Sequence, residues 1–102
     1  MIQVHFFKSG ENCLGFSVSG HAGYAPQGED IACASVTSAV QLTANAITEV
    51  LKLPAEVSAK DDTVRLKLDP QADIAVAQPF FEALQLHLEL LSQEFEKTIS
   101  FI

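Results

Sequence analysis

The stretch that decides the fold is residues 20–35, which read GHAGYAPQGEDIACAS. Before it, apolar residues alternate with polar ones, and after it they recur at helical spacing. The glycines and the proline of residues 22–28 separate the two patterns and are typical of a loop. The stretch therefore predicts a strand, a loop and a helix in succession.

Period-two alternation on both sides of this stretch predicts two β-hairpins. The first has its turn at residues 9–12. The second joins residues 56–60 to residues 63–69 through an Asp61-Asp62 turn. The predicted inward positions are Ile2, Val4 and Phe6 in the first strand, Leu14, Phe16 and Val18 in the second, and Val64, Leu66 and Leu68 in the fourth, with Arg65 and Lys67 facing outwards.

Two helices complete the pattern, and the second is amphipathic. Asp30 is a preferred N-cap, so the first helix is expected to start at Ile31 and to end at Leu53-Pro54. Its predicted core positions are Val36, Ala39 or Val40, Thr43, Ile47, and Val50 or Leu51. The second helix is expected to begin near Pro79 or to be kinked by it, with Phe81, Leu84, Leu88, Leu91 and Phe95 on one face.

The order β-β-α-β-β-α predicts a two-layer α+β fold, with a four-stranded sheet and two helices on one face. Residues 99–102 are a candidate for an additional short strand. The 102 residues, 48% of them hydrophobic and 19% charged, are enough for one packed core. We therefore expect a single domain over residues 1–102.

The formal net charge of -7 disfavours nucleic acid and anionic membrane surfaces as partners and favours a basic partner. The N-terminus has no signal-peptide pattern, so a cytoplasmic protein with reduced cysteines is expected. The two cysteines and three histidines match no zinc spacing. We expect neither a metal nor a cofactor.

Residues 31–48 contain no charged side chain. Their serines, threonines, glutamine and asparagine are too polar for a lone membrane span, so the stretch is interpreted as a soluble helix. A helix without a charged face to present to water needs a second packing partner. This pattern predicts a homodimer that buries part of the helix or a sheet edge.

Cys33 and His21 are candidates for a nucleophile and its base. A cysteine in the first turn of a helix lies where unpaired N–H groups favour a thiolate, and Gly20 and Gly23 allow the chain to redirect His21 towards it. Strand alternation places Cys13 on the outer face of the sheet. It also lies too far along the extended strand from His21 to be the partner of that histidine. A buried thiol and a structural histidine would leave the same pattern, and Tyr24 is either a substrate contact or a residue that packs back.

The residues Gly20-His21-Ala22, Tyr24-Ala25, Gly28, Asp30-Ile31 and Cys33-Ala34, followed by Ser38-Ala39, Thr43 and Asn45-Ala46, resemble the ribosomal-processing cysteine protease family, Prp. This resemblance implies a cytoplasmic, dimeric cysteine endopeptidase that removes the N-terminal extension of a basic ribosomal protein, number twenty-seven of the bacterial large subunit. It implies Cys33 as nucleophile and His21 as general base. It also places Asp30 at a motif position, where the carboxylate either orients the imidazole or caps the helix.

Two other functions fit the same residues. One is a ribosome-assembly binding module in which Cys33 and His21 are structural. The other is a thiol hydrolase that acts on a small substrate and needs no extended groove. A reactive Cys33 would distinguish the protease from the binding module. Cleavage of the ribosomal peptide would distinguish the protease from the thiol hydrolase.

Overall fold

In the computed structural model, which describes residues 1–20 and 29–102, five strands form one sheet and two helices pack on one of its faces. For Glu29 and Asp30 the description covers the backbone alone. The elements are β1 (Ile2–Ser9), β2 (Asn12–Ser19), α1 (Glu29–Asn45), a π-helical turn (Ala46–Val50), β3 (Ala55–Lys60), β4 (Thr63–Leu68), α2 (Ile74–Glu94) and β5 (Ile99–Phe101).

The strand order in the sheet is β3-β4-β2-β1-β5. The first four strands pair antiparallel, and β5 pairs with β1 in parallel, which makes the sheet mixed. The α+β class and both predicted hairpins are confirmed. The candidate tail strand forms and is β5. The sheet therefore has five strands, one more than the four predicted.

The core lies between the sheet and the helices and is centred on Phe16. This ring is fully buried on the central strand β2 and makes edge contacts with Phe6 and Phe81, at centroid distances of 6.5 and 6.2 Å. Most of the predicted inward positions are buried, including Ile2, Val4, Val18, Val36, Val40, Ile47, Leu66, Leu68, Leu84, Leu88 and Leu91. The spacing of apolar residues therefore predicted most of the side chains that lie between the sheet and the helices.

A β-bulge in the first hairpin reverses the predicted orientation of Cys13. Phe7 pairs with Gly15 and Lys8 pairs with Cys13, which leaves Leu14 as an extra residue on β2. An extra residue shifts the alternation of side chains by one. Cys13 therefore lies in the core at 2% exposure, and the prediction that it faces outwards with Ser17 was wrong.

Gln78 on α2 supplies the hydrogen bonds that the bulge disrupts. The backbone N–H of Cys13 donates to Oε1 of Gln78 at 2.7 Å, and Nε2 of Gln78 donates to the carbonyl of Cys13 at 2.8 Å. Buried backbone polar groups need partners, and one side-chain amide can act as both acceptor and donor. This pair of bonds joins α2 to the irregular end of β2.

The first helix starts two residues earlier than predicted. Asp30 lies inside α1 and is not its N-cap, and Cys33 is the fifth helical residue, in the second turn. Glu29 and Asp30 are compatible with this start because acidic residues are favourable in the first turn of a helix. At the other end the N–H of Leu51 donates to the carbonyl of Ala46 at 2.8 Å, the spacing of a π-helix.

The second helix begins at Ile74 and includes Pro79 in its interior, so the predicted start near Pro79 is five residues late. Ala77, in the first turn, is buried in the core. At the far end the helix stops at Glu94. Phe95, which was predicted to lie on the helix, follows it and is half-buried.

Residues Ile31–Val50 are long and apolar enough to cross a membrane by length and composition. In the fold, Val36, Val40 and Ile47 of this stretch are buried in the common core. This packing favours a core helix over a membrane span. Ile31 and Leu42, by contrast, are 59% and 71% exposed, so the opposite side of the helix presents apolar side chains to its surroundings.

We expect Gly15→Ala to destabilise the protein by about 1–3 kcal/mol, because a Cβ at this position would lie 2.0 Å from the carbonyl oxygen of Leu66. Ser17→Ala, on the same strand and face, is the control and should change stability by less than about 0.5 kcal/mol. Urea unfolding of the three proteins measures the difference. Equal stability of the two variants would show that β2 and β4 separate readily at this point.

Candidate active site

Cys33 lies in the second turn of α1 with its thiol partly exposed. The side chains of a helix lean towards its N-terminus, which places this thiol over the first turn. The N–H groups of that first turn have no partner inside the helix. The position is therefore one where a thiolate, or an oxyanion formed beside it, finds hydrogen-bond donors.

Gly20 brings the end of β2 close to Cys33. Its φ of +84° takes the chain out of the extended conformation directly before His21. Its N–H donates to the carbonyl of Asp62 at 3.2 Å, and a Cβ at this position would lie 2.6 Å from the carbonyl oxygen of Met1. This close approach requires glycine.

A cleft opens between α1 and the β3–β4 hairpin. Its outer part is a groove of about 350 Å³, and a narrower inner pocket of about 70 Å³ continues towards the core. Five residues line both parts: Gly20, Cys33, Thr37, Asp62 and Val64. The thiol therefore shares one cleft with the residue that directly precedes His21.

The structure does not describe the side chains of three predicted site residues. His21 and Tyr24 lie outside the described residues, and for Asp30 only the helical backbone is described. The dyad of Cys33 and His21 therefore remains a prediction, supported by the positions of Cys33 and Gly20. Asp30 lies inside α1, so its predicted capping position was wrong, and orientation of the imidazole by its carboxylate stays a prediction.

Cys13 is buried, whereas Cys33 is partly exposed. The Cys13 thiol donates a hydrogen bond to the carbonyl of Gly15 at 3.3 Å. Burial raises the pKa of the Cys13 thiol, although this hydrogen bond and the charge of Lys8 act in the opposite direction. A raised thiol pKa means less thiolate at neutral pH, so Cys13 is expected to be unreactive.

The other two histidines lie away from the cleft. Nδ1 of His5 donates to the carbonyl of Ile102 at 2.7 Å, and its ring contacts the edge of Phe7. His87 lies on α2, on the side that faces α1. Among the side chains that the structure describes, no group of three histidine, cysteine or acidic residues is arranged to hold a metal ion.

The cleft also contains residues that sequence reasoning missed. Thr37 follows Cys33 by one helical turn, so helical spacing alone could have identified it. Ala59, Thr63 and Val64 come from a hairpin far along the chain. Only the order of the strands, with β4 beside β2, brings them next to the thiol.

A family model described as "Cysteine protease Prp" matches residues 1–100. The chain belongs to the Prp family of cysteine proteases. It is accordingly a peptide hydrolase, and the predicted resemblance to this family is confirmed. No curated protein sequence matches this Prp chain significantly.

Solved structures share the fold of this Prp chain. The ribosomal processing protease Prp of Staphylococcus aureus, in complex with a substrate peptide, superposes with a TM-score of 0.87 at 18% identity, over 100% of this chain and 98% of the other. The same protease with a covalently linked product peptide gives 0.81 at 20% identity, over 99% and 97%. Protein SMU.848 of Streptococcus mutans gives 0.81 at 23% identity, over 99% and 91%.

We expect an alkylating reagent at neutral pH to modify Cys33 of the folded protein at least tenfold faster than Cys13, which is buried and has a raised thiol pKa. Mass spectrometry should detect one rapidly modified thiol in buffer and two in urea. The Cys13→Ser variant should keep the fast reaction. Equal rates for the two thiols in buffer would contradict the assignment of Cys13 to the core.

Proposed function

We propose that this protein is a cytoplasmic endopeptidase that removes the N-terminal extension of bacterial large-subunit ribosomal protein number twenty-seven. Cys33 is its nucleophile and His21 its general base. The observation that carries the proposal is the partly exposed Cys33 thiol, in a cleft whose opposite side includes Gly20, the neighbour of His21 in the chain. The Prp family assignment supplies the reaction class.

In the proposed mechanism His21 takes the thiol proton, and the sulfur of Cys33 attacks the scissile carbonyl carbon. The carbonyl electron pair moves onto oxygen, where N–H groups of the first turn of α1 stabilise the oxyanion. Collapse of this intermediate breaks the C–N bond, and His21 donates its proton to the leaving amine. Water then attacks the thioester with His21 as base, which releases the new carboxylate and restores Cys33.

Overall charge supports a basic substrate. The chain carries 13 acidic and 6 basic residues, and this surplus of negative charge attracts a cationic ribosomal protein at long range. Such steering raises association rates and weakens as salt is added. The same surplus disfavours direct binding to ribosomal RNA.

We expect Cys33→Ala to abolish peptide cleavage and His21→Ala to lower kcat/KM by at least about a thousandfold, since each removes one half of the dyad. The matched controls are Cys13→Ala and His87→Ala, which should retain activity. Cleavage of the ribosomal protein's N-terminal peptide is followed by mass spectrometry. A Cys33→Ala variant that still cuts the peptide would refute the assignment.

We also infer that the protein is a homodimer and that the second copy covers the exposed side of α1. A groove of about 930 Å³ between α1 and α2 is lined mainly by apolar and small polar residues, including Ile31, Ala34, Leu42 and Leu91, together with His87. Exposed apolar patches of this kind are typical of protein interfaces. The uncharged stretch of residues 31–48 therefore has one side in the core and the other available to a partner.

We expect Leu42→Glu to shift the protein towards monomers, because it places a charge in the proposed interface. Leu86→Glu, which replaces an exposed leucine of α2 that does not line the groove, is the control. Sedimentation equilibrium at micromolar concentration should give twice the protomer mass for the wild type and for Leu86→Glu. A wild type with the mass of one protomer would contradict the dimer.

A further inference from the structure

The groove beside Cys33 continues onto a part of the sheet that neither helix covers. Ala55, Val57 and Ala59 of β3 pair with Leu68, Leu66 and Val64, so their side chains point to the same face of the sheet as the helices. Yet Val57 is 49% exposed, and Ala59 is exposed as well. The described helices pack over the middle of the sheet and leave this edge strand open on its apolar side.

Ala59 connects the exposed apolar side of β3, here called the open strip, with the groove that contains the Cys33 thiol. It lines the same groove as Cys33 and Thr37, opposite α1. Ala59 and its partner Val64 are the apolar residues that the hairpin contributes to the groove, whose other hairpin residues are Lys60, Asp62 and Thr63. The strip therefore leads from the reacting sulfur along β3, and Val57 is the next exposed apolar residue on it.

The backbone of β3 adds a second kind of contact. Asp61 and Asp62 have φ values of +54° and +60°, the signature of a two-residue type I′ turn. In such a hairpin Lys60 and Thr63, which flank the turn, are the hydrogen-bonded pair, and the pairs then alternate along the strands. The N–H and carbonyl groups of Ala59 and Val57 consequently point away from β4, to the open edge of the sheet.

We propose that the substrate segment adjacent to the scissile bond lies in this groove in an extended conformation. An apolar side chain of that segment packs on Ala59, and Val57 provides the next contact. Apolar side chains in the groove and backbone groups at its rim are the two elements that recognise an extended peptide. Ala59 is then a specificity-determining residue, because its small side chain sets the space next to Cys33. This inference rests on the proposed peptidase function.

The test compares Ala59→Phe with Ser58→Phe. Ser58 is the neighbouring exposed residue of β3, and it pairs with Arg65 on the opposite face of the sheet. Ala59→Phe fills the groove and should lower kcat/KM for the ribosomal N-terminal peptide at least tenfold. Ser58→Phe adds nearly the same volume outside the groove and should stay within twofold of the wild type. Alkylation of Cys33 by iodoacetamide should proceed within twofold of the wild-type rate in both variants, because this reagent is small.

A second readout distinguishes a loss of space in the groove from a distortion of the active site in Ala59→Phe. Each residue flanking the scissile bond of the peptide is replaced in turn by alanine. At one of these positions the replacement should restore cleavage by Ala59→Phe at least fivefold, while it lowers cleavage by the wild type. Ala59→Leu should show the same pattern with a smaller loss.

Three results would overturn the groove assignment. One is equal cleavage by Ala59→Phe and the wild type, and another is equal loss in Ala59→Phe and Ser58→Phe. The third is the absence of rescue at every flanking position. A wild type that fails to cleave any ribosomal N-terminal peptide would overturn the proposed function and, with it, this assignment.

Discussion

The close approach of Gly20 to the beginning of β1 is the constraint on which the cleft depends. At this point the first residues of the chain, the end of β2 and the turn of the β3–β4 hairpin meet, joined by the hydrogen bond from Gly20 to the carbonyl of Asp62. A side chain at position 20 would collide with the carbonyl of Met1. The backbone therefore leaves the sheet here, directly before His21 and beside the N-terminal half of α1.

The two cysteines show how packing assigns different roles to the same chemical group. The bulge in the first hairpin turns Cys13 into the core, where Gln78 binds its backbone and burial raises the pKa of its thiol. Cys33 remains partly exposed on α1, near N–H groups that favour an anion. The proposed mechanism needs one thiol that substrate can reach and one that takes no part in the chemistry, and this arrangement is consistent with both.

The side chains of helix α1 contribute to three different surfaces. Val36 and Val40 fill the core, Cys33 and Thr37 line the cleft, and Ile31 and Leu42 border the groove shared with α2. A charged residue on this helix would have to face one of these surfaces. With the proposed dimer, this would account for the absence of charge in residues 31–48, which gives the stretch the composition of a membrane span.

The sequence by itself determined the two hairpins, the two helices and the α+β class, because alternation and helical spacing report directly which side chains face a core. It also determined the family, because the residues between Gly20 and Ala46 carry the Prp pattern. Only the tertiary structure decided the orientation of Cys13, since one extra residue in a strand leaves no local signal and reverses every side chain beyond it. It alone placed Ala59 and Thr63 beside Cys33, because contacts between segments distant in the chain follow from strand order, which no short-range pattern encodes.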